Sequence, residues 1–132
     1  MPTLPIELVL LGWSTILLVV YIMTQGQMAT LDRGLGWNAG PRDGEAKPLG
    51  TLAGRAQRAL RNFQETYPAF IALALALAVS DRGGGLGAIG AWTWFIARIV
   101  YLPLYLMGVP YLRSLCWTVS VLGLILMLVR LL

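Results

Sequence analysis

The sequence predicts an all-α membrane protein, a single domain built as a bundle of four transmembrane helices. Three observations carry this expectation. AVILMFWYC residues make up 58% of the 132 positions. Charged residues make up only 12%, against roughly 25% in an ordinary soluble domain. The apolar residues also fall into four blocks, each near the length of about 20 residues that a helix needs to cross a bilayer. A soluble domain of this size exposes much of its surface, and ten basic plus six acidic side chains cannot cover it. These grounds argue against a water-soluble globular enzyme and against a disordered chain.

The elements follow in order. Helix one is expected over residues 5–25, with LVLLGWSTILLVVYIM at its centre. Glu7 precedes that run and no Lys or Arg does, so the basic start of a secretory signal is missing and the helix is expected to be retained. Residues 26–51 form a Gly-rich, polar loop (GLGWNAGPRDGEAKPLG) of irregular backbone. Helix two is expected over 52–80. Its purely apolar part, Tyr67 to Val79, has 13 residues and is too short to span. The helix therefore extends back through Arg58, Arg61, Asn62 and Glu65. Asp81-Arg82-Gly83-Gly84-Gly85 is a turn. Helix three, 85–107, contains Pro103, which frees the Ile99 carbonyl and predicts a kink; Pro68 does the same to Gln64 in helix two. Helix four, 110–131, opens on Pro110, whose missing N–H costs nothing in a first turn.

Basic residues set the orientation. Arg33, Arg42, Lys47, Arg55, Arg58 and Arg61 lie between Thr24 and Asn62, and only Arg82 and Arg130 fall on the other side. The first loop is then cytoplasmic and both termini lie outside. One Lys against nine Arg hints at a GC-rich bacterial genome, hence a bacterial inner membrane.

Two polar stripes stand out. At about 100° per residue, Arg55, Arg58, Asn62 and Glu65 share an arc of roughly 80° on helix two. Arg98, Tyr101 and Tyr105 share an arc of about 60° on helix three. Arg98 is the most deeply placed charge, and its structural role would be to neutralise Glu65. Tyr111-Leu112-Arg113-Ser114 opens helix four, with Trp117 one turn further. The topology brings Arg58, Asn62, Glu65, Arg98, Tyr101, Tyr105 and Arg113 to one depth. Their net charge suits a small ligand with excess carboxylates and an ammonium for Glu65. Polar clusters inside a membrane are functional candidates.

The absence of His and the single Cys116 exclude His-based catalysis, intramolecular disulfides and multi-cysteine metal sites. No metal and no nucleic-acid partner is expected. Cys116 reads as a packing residue and Arg130 as a snorkelling one. Trp94 and Trp117 are candidates for a lipid-side entrance.

The segment Arg58-Ala59-Leu60-Arg61-Asn62-Phe63-Gln64-Glu65-Thr66-Tyr67-Pro68 resembles the RAxxNxxE…P signature of the MAPEG family, the membrane-associated proteins of eicosanoid and glutathione metabolism. Arg98 with Tyr101 and Tyr105, then Tyr111-Leu112-Arg113-Ser114, resembles that family's second conserved region. The loop elements Gly34-Leu35-Gly36-Trp37 and Pro41-Arg42-Asp43 look closest to its prokaryotic branch. The resemblance implies four-helix protomers in a homotrimer, with sites between subunits near the cytoplasmic face. It implies glutathione as co-substrate, held by Arg58, Asn62, Glu65, Arg98, Tyr101 and Tyr105. Arg113 would sit beside the sulfur, with Ser114 as an alternative partner of the thiol. The second substrate would be a lipophilic electrophile or lipid hydroperoxide entering from the membrane lipids. The sequence departs from the family at the end of helix one, where Tyr21 to Gln27 carries no arginine, at Leu60, and at Thr66, where some members place tyrosine.

Two functions stay open on these residues. One is a glutathione-dependent membrane transferase or peroxidase. The alternative is a non-catalytic membrane protein of the same fold that binds a lipid headgroup or has a structural role. Four short helices without a midplane ion ligand other than Arg98 argue against a transporter.

Overall fold

Apolar residues recurring every three or four positions shape the chain into helices that bury one stripe each. The computed structural model describes residues 3–132, so residues 1 and 2 of the expected domain lie outside the described part. The elements are α1 (Ile6–Arg33), α2 (Leu35–Ala39), α3 (Thr51–Val79), α4 (Leu86–Met107) and α5 (Pro110–Leu131). No strand occurs among the described residues. Helices α1, α4 and α5 are long and apolar enough to cross a membrane. Helix α3 matches them in length, but Arg55, Arg58, Arg61 and Glu65 interrupt its first half.

The expected loop 26–51 is shorter than the sequence suggested. Helix α1 runs on to Arg33 and a short α2 follows. Polar side chains sustain this extension. Thr24 and Thr30 donate to the Val20 and Gly26 carbonyls at 2.7 and 2.8 Å. Asn38 of α2 donates to Thr30 at 2.6 Å, and Asp32 accepts the Gly50 N–H at 2.6 Å, where α3 begins. At 1.5 Å per residue, α1 is about 42 Å long, beyond the roughly 30 Å of hydrocarbon. Its last turns therefore reach the interface.

Helix α3 supplies the central stripe: Ala56, Ala59, Phe63, Tyr67, Phe70, Ala74 and Leu77 are all buried. Phe63, Tyr67 and Phe70 surround Trp94 of α4, with ring centroids 5.5, 5.8 and 4.0 Å away. Trp94 is 0% exposed, so it is a core residue and not part of a lipid-side entrance. A hydropathy pattern cannot tell a belt tryptophan from one that α3 covers. The expected prolines, Pro68 and Pro103, both lie inside continuous helices.

Helices α4 and α5 form the most extensive pair in the bundle. Their backbones touch at Gly90 and Gly123. A Cβ at Gly90 would fall 2.9 Å from the Met127 nitrogen, and one at Gly123 would fall 2.7 Å from the Trp94 nitrogen. The end of the bundle carrying the α3–α4 turn is closed by three polar side chains. Glu7, fully buried, accepts the Gly84 N–H at 2.7 Å, a favourable place for a carboxylate at the start of α4. Arg130 donates to the Arg82 carbonyl at 2.9 Å, and Arg82 donates to the Leu131 carbonyl.

Replacing Gly90 by Val should force α4 and α5 apart and cost about 1–3 kcal/mol or more, as overpacking does. Gly12→Ala, where nothing lies within 4 Å of the added carbon, should be neutral or slightly stabilising. Thermal melts followed by circular dichroism in detergent check both; equal melting temperatures for Gly90→Val and the parent protein would refute the backbone contact.

Candidate functional site

The polar residues gather at the other end of the bundle, around the turn that joins α4 to α5. Gly108 makes this turn in a left-handed conformation (φ +72°). Pro110 then starts α5. The start of α3 is tied to this end by Arg55, whose Nη1 donates to the Leu106 carbonyl at 3.1 Å. A cation at a helix C-terminus also meets the negative end of the helix dipole.

A hollow of about 480 Å³ opens between α3, α4 and α5. Asn62, Tyr101, Tyr105, Arg113, Ser114 and Trp117 line it. The ring of Tyr105 stands edge-on to Tyr101 at 5.6 Å. Two guanidiniums lie against Tyr105: that of Arg113 at 4.8 Å and that of Arg58 at 5.9 Å from the ring centroid. Such contacts hold a cation without neutralising it. The hollow is therefore receptive to an anion, and Ser114 adds a hydroxyl donor.

Arg98 takes a different place from the one expected. It is 0% exposed and lies behind the hollow, not on its wall. Nη1 donates to Asn62 Oδ1 at 2.8 Å and Nη2 to Thr66 Oγ1 at 2.7 Å. Its guanidinium also faces the rings of Tyr101 at 5.0 Å and Phe63 at 5.9 Å. Nε has no partner. The expected pairing with Glu65 is thus replaced by two neutral oxygens. Glu65 lies one residue, about 100° of helix, away from Thr66, and is exposed on the protomer. The backbone carbonyl of Arg98 accepts the Tyr21 hydroxyl at 2.6 Å, so α1 is bound in as well.

The structure therefore brings Asn62, Tyr101, Tyr105, Arg113 and Ser114 to one hollow, with Arg58 at its edge. It sets Arg98 behind the wall and Glu65 on the outer surface of the protomer. The expected polar stripe of α3 divides, since Arg55 turns to the end of α4. Sequence reasoning left out Thr66 as a partner of Arg98. Trp117 and Thr118, which also line the hollow, follow Arg113 and Ser114 by one turn, and that spacing was a usable signal. Arg61 faces a second, smaller polar hollow with Gln25, Gln57 and Gln64. Across the α4–α5 pair lies a groove of about 700 Å³, lined by apolar residues such as Trp92, Ile96, Val100, Leu104 and Leu115. Cys116 lies in that groove and donates its S–H to the Ala97 carbonyl at 2.9 Å. No group of residues able to hold a metal ion occurs among the described residues.

Fold and site together define an all-helical integral membrane protein with an arginine-bearing polar hollow at one end of its bundle. The model of the MAPEG family matches residues 10–132. The chain belongs to the MAPEG family, and so to membrane proteins of the glutathione and eicosanoid metabolism type. Comparisons with curated proteins and with solved structures return no match.

Arg55→Ala should leave the Leu106 carbonyl short of a donor and lower stability by about 1–3 kcal/mol. Denaturation in detergent, followed by helix content, measures the change. A stability equal to that of the parent protein would remove Arg55 from its role as the tie between α3 and α4.

Proposed function

We propose that this protein is a glutathione-dependent membrane transferase or peroxidase acting on a lipophilic electrophile or lipid hydroperoxide. The observation that carries this reading is the hollow where Arg113, Ser114, Asn62, Tyr101 and Tyr105 meet, with two cations stacked on Tyr105 and neither neutralised by it. Glutathione has two carboxylates, one ammonium and one thiol. Arginine forks suit its carboxylates. Asn62 and Ser114 offer donors to its peptide groups. Glu65, from the outer surface of α3, is the group to receive the ammonium. Arg113 beside the sulfur favours the thiolate, which is the nucleophile.

Transfer then forms a carbon–sulfur bond as the electrophile loses its leaving group or takes up a proton. With a hydroperoxide, two thiols are oxidised to a disulfide while the substrate is reduced to an alcohol and water. Positioning and charge stabilisation supply the catalysis. The apolar groove on the far face of α4 and α5 offers a path for a membrane-borne substrate. The working assembly in this proposal is a homotrimer of four-span protomers in a bacterial inner membrane. In it a neighbouring copy covers the open side of the hollow, with the first loop cytoplasmic and both termini outside.

Calorimetric titration of glutathione into the purified protein, with an ultraviolet difference scan for thiolate, tests the proposal. Saturable binding with a thiolate band is expected. Arg58→Ala should weaken binding by about tenfold. Arg113→Ala should lower turnover by roughly a hundredfold, with a smaller effect on affinity, as loss of one charge-stabilising donor does. Absence of binding at millimolar glutathione would sink the proposal and leave a lipid-headgroup or structural role for the arginines.

A further inference from the structure

We infer that Arg98 is a positioning residue: it turns the side-chain amide of Asn62 so that its NH2 donor faces the hollow. The inference rests on the glutathione reading of that hollow.

A guanidinium carries five N–H donors and no acceptor. The Asn62 atom at 2.8 Å from Arg98 Nη1 must therefore be the amide oxygen. Once Oδ1 is engaged behind the wall, Nδ2 is directed the other way. Asn62 is half-buried and itself lines the hollow, so the donor is presented to whatever sits there. Without Arg98 the amide could rotate and present its oxygen, which would repel a carboxylate.

The rest of the surroundings fits a device for orientation. Thr66 holds the second arm of the fork at 2.7 Å, which fixes the guanidinium plane. Tyr101 covers its face at 5.0 Å, and Tyr21 anchors the backbone at 2.6 Å. None of these partners is a carboxylate. A carboxylate would satisfy Arg98 more strongly, but it cannot report its orientation to the hollow. Asn62 can, because one end of its side chain accepts and the other donates. A buried cation without a direct ion pair is expensive to keep, and its effect on Asn62 gives it a use. Arg98 itself does not reach the hollow, so it acts on the ligand only through its neighbours.

A double-mutant cycle tests this in the full-length protein. Glutathione is titrated into the parent protein, Arg98→Met, Asn62→Ala and the double variant, with melts to confirm folding. Arg98→Lys, which keeps the charge and loses the fork, stands in if Arg98→Met does not fold. Each single change should weaken binding by about tenfold, and the double variant should bind no worse than Asn62→Ala. Losses that multiply would overturn the inference, since Arg98 would then act apart from Asn62. Asn62→Asp supplies a second check. It keeps an acceptor for Arg98 and deletes the donor, so it should melt no lower than the parent and still lose binding. Retained binding would also overturn the inference. If the parent protein binds no glutathione, the functional reading fails first. The orientation is then read from the 15N spectrum of the Asn62 side chain. Its amide protons should change environment in Arg98→Lys, and an unchanged spectrum would overturn the positioning role.

Discussion

A positive charge buried without a carboxylate beside it constrains most of this bundle. Arg98 stays protonated, since guanidinium does not deprotonate in proteins, and a membrane interior makes that charge costly. The fold meets the demand with what three helices can bring. Helix α3 supplies Asn62 and Thr66 to the fork. Helix α4 supplies Tyr101, one turn from Arg98, to cover its face. Helix α1 supplies Tyr21 to the carbonyl of the same residue. Moving α3 by a turn relative to α4 would strand the charge, so the demand fixes the register of that pair, and the Tyr21 bond to the Arg98 carbonyl ties α1 to the same level. The aromatic group around Trp94 fills space beside this fixed point, and its Tyr67 hydroxyl makes a second buried tie to α1, at 2.8 Å from the Ser14 hydroxyl.

The two ends of the bundle solve opposite problems. At the Glu7 end the helices come as close as backbones allow, with Gly90 against Gly123 and the carboxylate of Glu7 under the first turn of α4. Small residues and short hydrogen bonds leave little free volume there. At the Arg113 end the facing side chains are Tyr101, Tyr105, Arg113 and Trp117, which hold the helices apart around a hollow. Rings and guanidiniums are bulky planar groups that keep the backbones further apart here than glycine does at the other end. The same helix pair is thus tight at one end and propped open at the other.

Much of the fold could be read from the sequence because it rests on local rules. The turn at Asp81–Gly85 and the Pro110 start of α5 each depend on the conformational limits of one or two residues. The end of α1 could not be read in this way. Hydropathy reports burial, and α1 continues as a helix after its apolar run ends, on hydroxyl and amide bonds to its own backbone and to α2. The site divides along the same line. The residues lining the hollow were legible because helical spacing and topology place them together. The partner of Arg98 was not, since Thr66 and Glu65 are adjacent in sequence, and an arc of roughly 80° for the stripe cannot decide between neighbours that differ by one helical step. Trp94 failed for a related reason, because its burial is decided by α3, which no property of α4 alone reveals.

The choice between neutral and charged partners for Arg98 bears on what the hollow can do. A buried Arg98–Glu65 pair would have cancelled within the wall, leaving Arg58 and Arg113 as the local positive charges. With Asn62 and Thr66 in that place, the charge of Arg98 is shared with the hollow through an oriented amide, and Glu65 stays available on the surface of α3. The same four side chains therefore yield a more positive hollow and a separate carboxylate. On the proposed glutathione reading, the ligand's carboxylates lie inside and its ammonium near α3. The separation arises from one helical step, since moving the acceptor from position 66 to position 65 would place the carboxylate where the fork now finds a hydroxyl.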